Sequence, residues 1–215
     1  MRTRVKICGI TRTEDAVLAA RLGADALGLM FFAGSKRYIS LEQAQAIRAV
    51  VPAFVSLVGL FVNPSREEVE AVINAVHLDC LQFHGDESPQ FCASFAMPYL
   101  KVLRMSPQLD NNSIDAMIAS HAHANANAIL LDAWDPVQAG GTGKTFDWSR
   151  AAQCVVRSPL PVILAGGLDA SNAARAIETV KPWALDLSSG VESEPGIKDP
   201  KRLQAFFDEV NRVRI

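Results

Sequence analysis

Along the whole chain, short runs of apolar residues alternate with longer runs whose apolar positions recur at helical spacing. The short runs predict strands at roughly 4–8, 25–31, 54–62, 79–84, 99–104, 127–132, 161–165 and 183–188. Helical patterns fall between them, near 13–22, 41–51, 66–76, 88–96, 113–122, 148–156, 171–180 and 200–212. End signals agree with these bounds. Ser40 precedes Leu41, Ser65 precedes Arg66 with Glu68 three residues on, Asp147 precedes Trp148, and Gly23 follows the first helix. Eight β/α repeats with short connections predict an α/β fold: one (β/α)8 TIM barrel with a parallel sheet, a single domain over residues 1–215. An open doubly wound sheet is the alternative. Its dinucleotide form requires Gly-x-Gly-x-x-Gly after the first strand, where this chain has Cys8-Gly9-Ile10-Thr11.

Strand alternation then orients side chains. Val5 and Ile7 are expected to face the helices, and Lys6 and Cys8 the barrel axis. Cys80, Gln82, His84, Leu130, Asp132, Asp186 and Ser188 point inward by the same rule. Buried polar groups need partners, so Lys6, together with Lys101, is expected opposite Asp186. A slip of one residue would reverse every assignment.

Composition narrows the function classes. With 215 residues, 49% of them apolar, the chain can build a large core. A net charge of −2 and the lack of a long single-sign run argue against nucleic acid or an anionic membrane as partner. Met1-Arg2-Thr3-Arg4 leads into a strand without an apolar signal segment, and the apolar stretch Ala49 to Val62 is too short to span a bilayer. Cys8, Cys80, Cys92 and Cys154 form no Cys-x-x-Cys pair and read as reduced thiols of a cytoplasmic protein. No long apolar surface stripe is evident, so a monomer is expected. No Glu, Asp or His cluster has metal-ligand spacing, and no metal is expected.

In a barrel of this kind the chemistry sits where the strands end. Strand one ends in the thiol of Cys8 and strand six in the carboxylate of Asp132, a candidate base and acid. A buried structural thiol and a loop-capping carboxylate are the competing readings. Lys6, two residues below Cys8 on the same face, would favour thiolate. Strand seven runs into Ala165-Gly166-Gly167-Leu168 and strand eight into Asp186-Leu187-Ser188-Ser189-Gly190-Val191. Two glycine turns after consecutive strands can bring backbone N–H groups against a phosphate, and a short helix from Ser189 would add its dipole. Gly140-Gly141-Thr142-Gly143, followed by Lys144, lacks nucleotide-loop spacing and reads as a lid or a flexible surface loop. Arg37, in the loop after strand two, is either a clamp on a carboxylate or a solvated surface arginine. Among the histidines only His84 falls at a strand end; His121 and His123 sit in a polar helix tail.

Read in order, a set of segments resembles the phosphoribosylanthranilate isomerase family. They are Lys6-Ile7-Cys8-Gly9-Ile10-Thr11, Gly59-Leu60-Phe61-Val62-Asn63, Gln82-Phe83-His84-Gly85-Asp86-Glu87, Leu130-Leu131-Asp132, Gly141-Thr142-Gly143 with Phe146-Asp147-Trp148, Leu164 to Leu168, and Asp186 to Glu192. Together they cover essentially the whole chain. The resemblance implies an enzyme of tryptophan biosynthesis that performs an Amadori rearrangement of a phosphorylated small molecule, a reaction that requires no cofactor. It implies Cys8 as general base, Asp132 as general acid and Arg37 as the clamp on the anthranilate carboxylate. It further implies substrate contacts from His84, Gly143, Gly166, Gly167, Asp186, Ser188, Ser189 and Gly190. Two departures stand out: Lys36 replaces the proline usual before the arginine, and Phe83, expected to face the helices, replaces a leucine. The rivals are the sister isomerase of histidine biosynthesis, which uses two carboxylates, a metal-dependent epimerase, whose histidine ligands are missing, and a non-catalytic barrel that binds a phosphosugar.

Overall fold

In a computed structural model that describes residues 2–133 and 147–213, eight parallel strands close into one barrel. The strands are β1 (Arg4–Cys8), β2 (Ala26–Met30), β3 (Ser56–Phe61), β4 (Cys80–Phe83), β5 (Tyr99–Met105), β6 (Ala128–Ala133), β7 (Val162–Leu164) and β8 (Ala184–Leu187). The helices are α1 (Thr13–Leu22), α2 (Leu41–Val50), α3 (Arg66–Val76), α4 (Pro89–Ala93), α5 (Asn111–His123), α6 (Trp148–Arg157), α7 (Ala173–Val180) and α8 (Pro200–Arg212). Each strand pairs with its sequence neighbours, and β8 closes on β1 with Lys6 beside Asp186.

Alternation sorts the core into two layers. Cys8, Val58, Leu60, Leu100, Val102, Leu130 and Ile163 pack around the axis. Val5, Ile7, Leu27, Leu57, Leu81, Phe83, Leu131 and Leu185 pack outward, in the layer that includes the helices. Phe83 thus faces the helices as expected, stacked with Phe95 and edge-on to Phe91 and Tyr99. Lys101 does not join Lys6. Leu100 and Val102 take the inward positions of β5, so Lys101 lies on the other face, donating to the Gly85 carbonyl at 2.7 Å and to Glu87 Oε2 at 2.6 Å.

Helix starts follow their capping residues. Ser40 with Gln43 and Ser65 with Glu68 form capping boxes, and Asp147 accepts the Ser149 N–H at 2.8 Å. Asp110 caps α5 two residues earlier than the periodicity indicates. Helix α4 is shorter than expected because Ala96 takes a left-handed φ of 51° and Pro98 follows. His121, expected in a polar tail, is buried against Tyr99, and burial pushes its imidazole down to about 4. After β8 the sequence pattern missed a two-stranded hairpin, β9 (Glu192–Glu194) and β10 (Ile197–Lys198), which turns at Pro195-Gly196.

Candidate active site at the strand ends

One cavity opens at the C-terminal ends of the strands. Cys8 reaches it from the end of β1 and Asp132 from β6, and the two strands that separate them, β7 and β8, carry the glycine turns. Arg37, His84, Gly166, Gly167, Asp186, Ser188 and Ser189 line the same space. Gly143 lies outside the described residues, as does the rest of the 140–144 segment.

On the β1 side the polar groups are paired. Lys6 Nζ donates to Asp186 Oδ1 at 2.8 Å, with both side chains under a tenth exposed. Burial alone would lower the Lys6 ammonium, but Asp186 and Cys8 outweigh it and hold it above its ordinary value. Gly28 makes room for this cluster, because a Cβ there would stand 3.1 Å from both Cys8 Sγ and Lys6 Nζ. The expected thiolate at Cys8 is not what this environment favours. Burial pushes the thiol up, Lys6 pulls it back down, Asp186 adds to the rise, and the net direction is upward. The physical reason is burial of the sulfur, which Lys6, already paired with Asp186, does not offset.

Arg37 does not overhang the mouth as a solvated side chain. It is buried, and its guanidinium already grips a carboxylate, that of Glu192: Nε donates to Oε1 at 2.9 Å and Nη2 to Oε2 at 2.7 Å. Lys198 Nζ donates to Glu192 Oε1 at 2.7 Å and to the Cys8 carbonyl at 2.6 Å. Burial pushes the Glu192 carboxyl up, and Arg37 and Lys198 reverse this to leave it below its usual range. Lys198 moves the other way, lowered by burial despite Glu192. Sequence reading missed both residues, although the Pro195-Gly196 turn between two short extended runs signals their hairpin. With Arg37 held by Glu192, the proline replaced by Lys36 is not needed to keep the arginine in place.

On the β6 side the polar groups are open. Asp132 Oδ1 accepts the Ala133 N–H at 2.9 Å, and Oδ2 lies 3.4 Å from His84 Nε2 without hydrogen-bond geometry. His84 Nε2 and Gln82 Oε1 are buried and have no hydrogen-bond partner among the described residues. Such atoms at a cavity wall are what a ligand's polar groups can satisfy.

The turns after β7 and β8 depend on glycine. Gly166 and Gly167 have φ of 90° and 62°, a region L side chains rarely adopt. Gly190 does not line the cavity; its α-carbon abuts the Leu168 carbonyl, where a Cβ would collide, and so lets the two turns close together. In place of the expected short helix there is a single 3₁₀ turn, Ser189–Val191, too short to carry a helix dipole. The Ser188 hydroxyl is already engaged, donating to Glu192 at 3.1 Å, so an anion at these turns would have only individual N–H groups and Ser189 to bind. Among the described residues no three His, Cys, Asp or Glu side chains are grouped as a metal site.

Comparison with known proteins bears directly on this site. Residues 5–209 match the family model described as N-(5'phosphoribosyl)anthranilate (PRA) isomerase. N-(5'-phosphoribosyl)anthranilate isomerase of Azotobacter vinelandii is 49% identical over 212 residues, 98% of each chain, and that of Pseudomonas putida is 49% identical over 210 residues, also 98% of each. The crystal structure of phosphoribosyl anthranilate isomerase from Thermotoga maritima superposes with a TM-score of 0.87 at 38% identity, covering 98% of this chain and 100% of that one. A second solved isomerase, in complex with reduced 1-(o-carboxyphenylamino)-1-deoxyribulose 5-phosphate, has a TM-score of 0.84 at 36% identity, with 98% and 100% covered. Fold, ordered motifs and whole-length similarity converge: the chain belongs to the N-(5'-phosphoribosyl)anthranilate isomerase family.

Proposed function

We propose that this chain isomerises N-(5'-phosphoribosyl)anthranilate to 1-(2-carboxyphenylamino)-1-deoxy-D-ribulose 5-phosphate, a step of tryptophan biosynthesis. The observation that carries the reading is the convergence of Cys8 and Asp132 on one cavity, with glycine turns on the strands between them. A solved relative that holds a reduced form of the same product supports the substrate class.

An aldose-to-ketose shift needs an acid at the ring oxygen and a base at the neighbouring carbon. Asp132 enters protonated and gives its proton to the ribose ring oxygen, the C1–O bond breaks, and an open-chain Schiff base forms. Cys8 as thiolate then takes the C2 proton, and the resulting enolamine tautomerises to the ketone. Because burial raises the resting thiol, the thiolate has to form at the moment it is needed, with Lys6, Lys198 and Arg37 nearby to stabilise it. Phosphate held at Gly166, Gly167 and Ser189 fixes the sugar against both groups. His84 and Gln82 offer their unpaired atoms to the sugar hydroxyls. No step requires a cofactor. As part of the same reading the chain acts as a monomer in the cytoplasm, supported by four free cysteines and by exposed apolar side chains far apart along the chain, such as Phe54 before β3, Val156 on α6 and Trp183 before β8. Among the described residues no helix is long and apolar enough to cross a membrane.

The test is a fluorescence assay that follows consumption of phosphoribosylanthranilate. Turnover without added metal or cofactor is expected. Saturable binding without consumption would replace the enzyme with a phosphosugar-binding barrel.

A further inference from the structure

We propose that Glu192 and Lys198 are positioning residues of the site, Glu192 setting which edge of Arg37 meets a substrate carboxylate and Lys198 holding the Cys8 end of β1. The inference rests on the isomerase reading for its substrate, and on geometry alone for its effect on Cys8. Lys198 is paired with Glu192 across the β9–β10 hairpin, and their side chains are 0% and 4% exposed. The hairpin is anchored to the segment after β1. Lys198 N–H donates to Asp15 Oδ2 at 3.0 Å, Arg12 holds that carboxylate at 2.7 Å, and Thr11 Oγ1 donates to the Gly196 carbonyl at 2.5 Å. A further donor, Arg202, holds the Glu192 carbonyl from α8. The two charged side chains therefore project from a fixed wall.

What they touch is the site itself. Glu192 occupies the Nε and Nη2 side of Arg37, while Nη1 makes no hydrogen bond among the described residues and remains for a ligand. The Arg37 stem crosses directly over Gly9, where a Cβ would strike its Cδ, so the lack of a side chain there is what lets the arginine lie along this wall. Lys198 binds the carbonyl of Cys8 itself. Lys6, Lys198 and Arg37 all favour a thiolate at the sulfur and Asp186 opposes it, so Lys198 bears on Cys8 through its charge as well as through the Cys8 carbonyl. A purely structural ion pair would need neither the contact to Cys8 nor the side-on grip of Arg37.

Steady-state kinetics with phosphoribosylanthranilate separate the two cases. Glu192→Gln is expected to raise KM about tenfold with kcat within about threefold, the mark of lost substrate binding. In an Arg37→Ala background the same change should add nothing to KM, since the effect passes through Arg37. Lys198→Met is read by iodoacetamide alkylation of Cys8, followed by mass spectrometry of the peptide that carries it. The pH of half-maximal alkylation should rise by about one unit. An unchanged KM in Glu192→Gln, an additive double variant, or an unchanged alkylation profile in folded Lys198→Met overturns the proposal. If circular dichroism finds Lys198→Met unfolded, Glu192→Gln with its double variant decides. The alkylation arm needs no substrate, so a wild-type protein that failed to isomerise would sink the isomerase reading and leave this one still decided.

Discussion

On the β1–β8 flank of the cavity Lys6, Asp186, Arg37, Glu192 and Lys198 are all buried, and each has an opposite charge within 2.8 Å. On the β4–β6 flank Gln82, His84 and Asp132 are equally buried, yet Gln82 Oε1 and His84 Nε2 have no partner among the described residues. The paired flank has its charges matched without a ligand, only the Nη1 edge of Arg37 being left over, and removing Lys6, Asp186 or Glu192 strands an opposite buried charge. The open flank carries a desolvation cost that only a bound polar molecule relieves. Substrate binding should therefore reorganise the second and leave the first in place.

The sharpest test exchanges the reacting groups, one on each flank. Cys8→Ser and Asp132→Asn are each expected to lower kcat by about 10²–10⁴-fold with the far-UV circular dichroism unchanged. Near-normal turnover in either would break the comparison at its centre. Acidity comes next. With the Cys8 thiol raised by burial, the pH of half-maximal alkylation of Cys8 by iodoacetamide should lie above that of an ordinary thiol. A value below it would mean that the charged neighbours, and not burial, set the thiol.

Stability distinguishes the flanks in the opposite sense. Lys6→Met leaves Asp186 buried and alone, and should cost about 3–5 kcal/mol in urea unfolding. His84→Ala, on the open flank, should cost far less stability while lowering kcat/KM; equal losses would mean the flanks do not differ. A pH effect away from both flanks serves as reference. His121 has its folded pKa depressed to about 4, so the stability it contributes is complete above about 6.5 and lost as pH falls toward 4. That loss should be on the order of 2 kcal/mol by urea midpoint and absent in His121→Leu. Smallest of all, Ser65→Ala removes one capping box and should cost about 1 kcal/mol with kcat unchanged.

Most of the frame was legible because it follows from local periodicity. The period-two pattern through Val5-Lys6-Ile7-Cys8 and through Leu130-Leu131-Asp132 correctly set which residues face the axis, since the outward neighbours must meet helices. The Lys6–Asp186 pair followed from the same rule. Lys101 shows where the reasoning stopped: a lysine's need for a partner does not say on which face the partner lies, and Glu87 supplied one outside the barrel. His121 failed for a related reason, as a polar-looking helix tail can still turn one side chain onto the core.

The residues themselves, then, determined the eightfold repeat, the helix starts, and the placing of Cys8, Asp132 and the two glycine turns at strand ends. Each of these depends on neighbours a few positions away. Only the closed barrel decided that Arg37 faces Glu192, 155 residues along the chain, and that Lys198 holds the carbonyl of Cys8, 190 residues away. Burial and Coulomb terms at the sulfur are sums over groups from distant segments, so the direction of its titration exists only once those segments have been folded together.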